Sequence, residues 1–241
     1  MIIAGLDMSK VHYALSVTDG ENTDFTFTTA TQSIAKLAQQ KEYNAHLFTT
    51  WLLFQKEYDC NCAFAYTAFA AERMKAFLVS DFVYMGTQMG KEEKYIAMEG
   101  YALGAETGQL TQIAEVSGVV KSFLYNCGWK IRIHDPQSVK MFATGNGHAQ
   151  KAEMVAASKL YGLSYPSFLE GRTEQEDIAD SFFLMKMMET ELKVRKNPKV
   201  MESLPEHHRH IFNRVTKGNP VNILVQNFID IERIPTHDSK H

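Results

Sequence analysis

Four acidic residues in this chain lie at or near the ends of apolar segments. Asp7 and Glu99 each close an apolar run of strand length. Asp177 and Asp180 are three residues apart, a spacing that puts two carboxylates on one face of a helix. Mg²⁺ takes oxygen ligands and is usually held by a few carboxylates together with substrate phosphates. If the fold brings these four side chains into one cleft, they predict a magnesium site suited to phosphodiester chemistry.

Each of these acids also has an ordinary structural interpretation. Charged residues make up 22% of the chain, and an Asp at the end of a strand most often forms a turn or caps a helix. The chemical interpretation therefore depends on the elements that carry the acids and on the residues around them.

Alternation and composition predict a chain of mixed strands and helices. Segments 12–17 and 24–28 alternate in the manner of strands, and the polar segment 18–22 between them has the composition of a hairpin turn. Later segments carry apolar stripes at helical spacing. The predicted strands are 2–7, 12–18, 23–29, a segment that ends at Glu99, and 130–134; the predicted helices are 31–58, 66–80, 108–126, a short one from Pro136, 149–161 and about 174–194.

These elements predict an α/β fold with a five-stranded mixed sheet flanked by helices. A chain of 241 residues is long enough for one elaborated domain, or for one domain with a helical appendage. We expect the main domain to span residues 1–192, with a helical insertion at about 31–90. Residues 193–241 are expected to form a C-terminal helical extension.

Composition favours a cytoplasmic protein. No run approaches the roughly 18 apolar residues of a membrane span, and the N-terminus lacks the pattern of a secretion signal. The three cysteines are too few, and odd in number, for a disulfide framework. Cys60 and Cys62 have no second ligand pair at zinc spacing, so buried thiols are the favoured interpretation there.

The charge distribution is uneven along the chain. The net charge is −3, which alone would not favour a polyanionic partner. Residues 121–159 contain six basic and two acidic side chains, whereas 160–192 contain two basic and seven acidic ones. An acidic metal site beside a basic rim is expected where metal ions bridge carboxylates to phosphates. An ordinary mixed surface is the alternative interpretation.

Five short motifs occur in a recognisable order. No one of them is specific alone, but together they resemble the RuvC family of Holliday junction resolvases, over residues 1 to about 190. The motifs are Gly5-Leu6-Asp7-Met8-Ser9, Met98-Glu99-Gly100, the stretch 112–120 (QIAEVSGVV), Asp135-Pro136-Gln137-Ser138-Val139-Lys140 with Gly145-Asn146-Gly147-His148-Ala149-Gln150-Lys151, and Asp177-Ile178-Ala179-Asp180-Ser181.

The resemblance implies a ribonuclease H-like fold and a magnesium-dependent endodeoxyribonuclease that cuts four-way DNA junctions as a homodimer, in a bacterial or phage-infected cell. It implies two Mg²⁺ ions per site, which Mn²⁺ could replace. The implied metal ligands are Asp7, Glu99, Asp177 and Asp180; Lys151 is the implied catalytic cation, and Tyr101, Lys121, Lys140 and Lys151 are the implied DNA contacts.

The chain departs from the family pattern in three places. The stretch between Asp7 and Glu99 is longer than in bacterial members. Ala102 stands where those members carry an aromatic residue, so that Tyr101 is the nearest substitute. The segment after residue 190 has no placed counterpart. These departures bear on the preferred branched substrate and on sequence preference.

Other functions remain open at this point. A related metal nuclease acting on flaps, bubbles or other branched DNA would use the same acids. A catalytically silent protein that binds DNA structures is a second alternative, although acids stand at every motif position. A ribonuclease H-like ATPase or sugar kinase is disfavoured because phosphate-binding glycine turns are missing from the matching places.

Overall fold

A computed structural model describes residues 1–9, 12–47, 63–84, 93–100, 107–216 and 223–224. In the described residues, strands and helices alternate from the third strand to the sixth, and a run of helices then leads to the seventh. The strands are β1 (Ile2–Met8), β2 (Tyr13–Thr18), β3 (Thr23–Thr29), β4 (Ala45–Leu47), β5 (Lys94–Glu99), β6 (Trp129–His134) and β7 (Ile223–Leu224). The helices are α1 (Gln32–Gln40), α2 (Ala63–Tyr84), α3 (Thr107–Asn126), α4 (Pro136–Thr144), α5 (Lys151–Leu160), α6 (Thr173–Lys196), α7 (Val200–Ser203) and α8 (Glu206–Thr216).

The strands form one mixed sheet in the order β4-β3-β2-β1-β5-β6-β7. β1, β2 and β3 are antiparallel neighbours, whereas β5 and β6 continue the sheet parallel to β1. The predicted α/β, ribonuclease H-like class with a mixed sheet is confirmed. All five predicted strands are present, and β4 and β7 extend the sheet at its two edges.

The predicted helix 31–58 is wrong beyond its first part. α1 ends at Gln40, where Glu42 takes the left-handed conformation (φ 63°) and the Tyr43 N–H donates to the Ala38 carbonyl (2.9 Å). The chain therefore turns back, and β4 pairs with β3 in parallel. A helix-favouring composition was overridden by this turn and by sheet pairing. The remainder of that predicted helix, residues 48–58, lies outside the described residues. Cys60 and Cys62 lie outside them as well.

Part of the predicted extension 193–241 packs on the remainder of the fold. α6 passes residue 192 without interruption and ends at Lys196. Ile211 and Phe212 of α8 are buried in the same apolar cluster as α6 and α4, and β7 pairs with β6. The division at residue 192 stays a prediction.

Helices cover both faces of the sheet. Alternation along β1 sends Ala4 and Leu6 to the face covered by α2 and α3. Ile3 and Gly5 point to the opposite face, which α6 covers together with α4, α5 and α8. No helix within the described ranges is long and apolar enough to cross a membrane.

Gly5 is the point of closest approach between α6 and the sheet. A Cβ atom at this position would lie 2.0 Å from the Ser181 carbonyl oxygen and 2.3 Å from the Met185 nitrogen. Both are backbone atoms and cannot rotate away. The absence of a side chain at Gly5 therefore allows α6 to rest directly on β1.

Gly5→Ala should accordingly force α6 away from β1 and lower the free energy of unfolding by about 1–3 kcal/mol or more. Urea denaturation measures this change. Gly118→Ala is the matched control, since nothing lies within 4 Å of a Cβ there. In the middle of α3 that alanine should stabilise the protein by about 0.5–1 kcal/mol. Equal stability of the Gly5→Ala variant and the parent would contradict the close contact.

Candidate active site

Two of the acids end neighbouring parallel strands. β1 and β5 pair in the register Leu6 with Met98, and Asp7 and Glu99 each follow by one position. Because side chains alternate along a strand, both acids lie on the face that carries Ile3 and α6. The carboxyl ends of parallel strands meet at one edge of a sheet, so the two side chains lie close together.

Asp177 and Asp180 approach the same edge from α6. The Ser181 hydroxyl, next to Asp180, lies 2.8 Å from the Ser16 hydroxyl of β2 and fixes the helix over the middle of the sheet. Burial and then the negative charges of the three other acids raise the pKa of Asp7 well above its usual value. The four acids therefore act on one another electrostatically.

Lys151 is the cation that faces these acids. Its Nζ atom lies 3.4 Å from Glu176 Oε2 and 3.6 Å from Asp177 Oδ1, and its side chain is 51% exposed. Burial would lower the pKa of Lys151, but the surrounding carboxylates, Asp177 first, raise it overall. A cation at a helix N-terminus opposes the helix dipole, and these carboxylates offset that cost.

Local turn geometry places Lys151 at the start of α5. Gly145 takes the left-handed conformation (φ 79°) that ends α4. After the short turn, the Gln150 N–H donates to Glu153 Oε2 (2.6 Å), which satisfies one free donor at the start of α5. The glycine turn therefore places the first residue of α5 beside the acids.

Lys140 of α4 also acts on the site. Asp135 caps this helix by accepting from the Ser138 N–H (2.8 Å). Burial and then Asp180 raise the pKa of Glu99 to about 7, with Lys140 and Lys151 opposing. Burial likewise raises the pKa of Asp180 to about 6, although Lys151 and Lys140 oppose it. Lys140, predicted as a DNA contact, lies close enough to influence two of the acids.

The donor set suits a hard divalent cation. Four carboxylates supply oxygen ligands of the kind that Mg²⁺ and Mn²⁺ prefer, and all four pKa values are raised chiefly by burial. Burying charged carboxylates costs free energy, and either a bound cation or a proton would reduce that cost. Within the described ranges, no three His, Cys, Asp or Glu side chains are grouped closely enough to hold one ion as they stand. Mutual repulsion among the acids opposes such a grouping.

The structure does not bring every predicted residue to this place. Lys121 lies on α3, whose buried residues Val120 and Leu124 pack on the opposite face of the sheet. Tyr101 lies outside the described residues. The predicted DNA contacts of both stay predictions.

Two residues near the acids had no predicted role. Glu176 pairs with Lys151, and its position beside Asp177 was the available signal. His12 lies near Asp177. Burial lowers the pKa of His12, and the negative charge of Asp177 partly offsets this effect. Nothing in the sequence marked His12 except its place shortly after Asp7.

Comparison with known proteins gives likenesses of structure only. No protein-family model matches the chain, and no match is found among curated proteins. The chain is similar to the structure of Thermus thermophilus RuvC, with 16% identity and a TM-score of 0.45 over 77% of this chain and 91% of that one. It is also similar to T. thermophilus RuvC in complex with a Holliday junction substrate, with 16% identity and a TM-score of 0.46 over 77% of this chain and 90% of that one. At this level neither likeness assigns a function to the chain.

The raised pKa values predict how the stability of the metal-free protein depends on pH. From about pH 4 to pH 7 the folded acids hold more protons than the unfolded ones, so the contribution of these acids to the free energy of unfolding should fall as pH rises. Glu99→Gln and Asp180→Asn should each flatten this dependence and stabilise the metal-free protein at about pH 8. Urea denaturation at several pH values in the presence of a chelator measures the slope.

Glu72→Gln is the control, because Glu72 is an exposed residue of α2 in a surface pair with Lys75. This variant should keep the parent slope. Parent-like slopes in both acid variants would show that the acids do not interact as the structure places them.

Proposed function

We propose that the chain is a structure-selective DNA endonuclease that resolves four-way junctions by divalent-metal-dependent hydrolysis. The observation that carries this proposal is the electrostatic influence of four carboxylates, Lys151 and Lys140 on one another near the carboxyl ends of β1 and β5. Carboxylates that could close around a divalent cation, with two lysines beside them, would match the needs of a reaction at a phosphodiester, whose charge is negative and increases in the transition state.

Each acid has a role in this proposal. Asp7, which all three other acids influence, would be shared between two ions, and Glu99, Asp177 and Asp180 would complete the two ligand sets. When bound, Mg²⁺ neutralises charge on the phosphate and lowers the pKa of water, and Mn²⁺ could take its place.

The two lysines would contribute differently. Lys151 is half exposed and already faces carboxylates, so a scissile phosphate entering the site would lie within reach of its ammonium group. As a point charge it would offset the negative charge that develops in the transition state. Lys140 would bind phosphate in the ground state and the transition state alike, which changes affinity more than rate.

The choice of a four-way junction rests on the ordered motifs that resemble the RuvC family. The same resemblance supports a homodimer that cuts two symmetric strands in the cytoplasm. One departure favours a second candidate: Ala102 replaces the family's aromatic residue. A nuclease for flaps or other branched DNA would need the same acids without that wedge.

A cleavage assay on four-way, flap, nicked, bubble and linear DNA, with and without Mg²⁺, separates these functions. We expect metal-dependent cleavage with a preference for the four-way junction. Asp7→Asn, Glu99→Gln and Asp180→Asn should each lower the cleavage rate by about 10³-fold or more, since each removes a metal ligand, while junction binding is retained.

Asp19→Asn is the control for the acid variants. Asp19 lies in the turn between β2 and β3, at the opposite end of the sheet, and an asparagine can keep its bonds from Glu21 and Asn22. It should cleave at the parent rate. Junction binding without cleavage by the parent protein in any metal would favour the silent DNA-binding alternative.

Lys151→Ala should lower the single-turnover rate by about 10²-fold with little change in metal dependence, because one transition-state contact is lost. Lys140→Ala should mainly weaken junction binding. Lys159→Ala, at the other end of α5, is the matched control. A parent-like rate for Lys151→Ala would show that Lys151 is a solvated surface residue without a catalytic role.

A further inference from the structure

A buried ion network lies on the same face of the sheet as the acids, farther along α6. It consists of Arg132 and His134 of β6 with Glu191 and Arg195 of α6. Arg132, His134 and Glu191 are each 1% exposed. None of these residues has a part in the chemistry proposed above.

A single carboxylate joins the two elements. Arg132 Nε donates to Glu191 Oε2 (3.0 Å), and Arg195 binds Glu191 Oε1 through Nε (3.0 Å) and Nη2. Burial would raise the pKa of Glu191, but Arg132, His134 and Arg195 hold it below its usual value. The carboxylate is therefore charged and is held from two sides.

The network joins a helix to a strand at a cost in folding free energy. Five of its buried nitrogen atoms have no hydrogen-bond partner in the described structure: both Nη atoms of Arg132, both ring nitrogens of His134, and Nη1 of Arg195. Unsatisfied buried donors cost stability, and apolar side chains in place of a buried ion network are often neutral or stabilising. Net stabilisation therefore does not account for the network.

The position of α6 along its own axis does account for the network. Glu191 follows Asp180 by 11 residues, about three helical turns and roughly 16 Å, so both lie on nearly the same side of α6. Between them the helix packs through three methionines, Met185, Met187 and Met188, together with Phe182, Phe183 and Leu184. Methionine adapts its shape readily and fixes axial position weakly. The charge-assisted hydrogen bond from Arg132 to Glu191 crosses from β6 to α6 and favours one axial position of the helix, while Arg195 holds the carboxylate in place from within α6.

The strand side of the network adjoins the acids directly. His134 is the register partner of Glu99 across β5 and β6, and its carbonyl accepts from the Gly100 N–H (2.7 Å). The network thus connects the strand beside Glu99 to the helix that bears Asp177 and Asp180.

We propose that Arg132, Glu191 and Arg195 are positioning residues that, together with the contact at Gly5 and the Ser181–Ser16 hydrogen bond, set the axial position of α6 on the sheet, and with it the distance between the helix acids and the strand acids. This inference rests on the proposed function, because that distance matters only if the acids share metal ions.

Two variants test it. In the triple variant Arg132→Met, Glu191→Met, Arg195→Met, apolar side chains of similar length replace the network, so the melting temperature should stay near the parent value or rise. Glu191→Asp keeps the charge but withdraws the carboxylate by one methylene. In both variants the dissociation constant for Mg²⁺, measured by titration calorimetry, should rise about tenfold or more. The Mg²⁺ concentration for half-maximal cleavage should rise with it.

Glu189→Asp is the matched control, since Glu189 of the same helix pairs with Lys186 and Lys193, which both belong to α6. It should bind Mg²⁺ as the parent does. The inference is wrong if either network variant folds and binds Mg²⁺ within twofold of the parent, or if neither variant folds, since the network would then serve stability. Failure of the parent protein itself to bind Mg²⁺ and cleave DNA would instead overturn the proposed function.

Discussion

The contact between α6 and β1 at Gly5 determines how closely the helix approaches the strand. A helix usually rests on a sheet through side chains, but here the backbone of Ser181 and Met185 approaches the strand directly. This brings Asp180, the neighbour of Ser181, within electrostatic reach of Asp7, two residues beyond Gly5. A larger residue would hold the two elements apart and would separate carboxylates that the proposed function requires to act together.

Four acids close together repel one another, and several features of the fold offset part of this repulsion. The first turn of α6 contains Glu174 and Glu176, and the positive end of the helix dipole favours carboxylates there. The basic residues Lys193, Arg195 and Lys196 occupy the last turn, where the dipole is negative. Lys151 and Lys140 supply further positive charge from α5 and α4. The remaining imbalance is what a divalent cation would neutralise.

The central fold could be predicted because its signals are local. Alternation in 12–18 and 23–29 and the apolar runs that end at Asp7 and Glu99 correspond to real strands. The predicted helix 31–58 failed because a single left-handed residue, Glu42, ends α1. β4 and β7 were missed because strands of three and two residues carry no periodicity.

For the candidate site, strand ends and the three-residue spacing on α6 marked the acids, although their role in metal binding stays a prediction. The proximity of Glu176 and His12 depends on how α6 is rotated over the sheet, which no local pattern records. The pair Arg132 and Glu191 is separated by 59 residues along the chain. Each residue alone looks like an ordinary charged position in a strand or helix.

The edges of the sheet have a consequence for association between molecules. Both are short strands: β4 has three residues and β7 has two. Short edge strands present few unpaired backbone groups, which discourages intermolecular strand pairing. Within the part of the chain that the structure describes, two copies would therefore gain little from pairing β4 or β7, and helix faces and side chains would do more to set their mutual orientation.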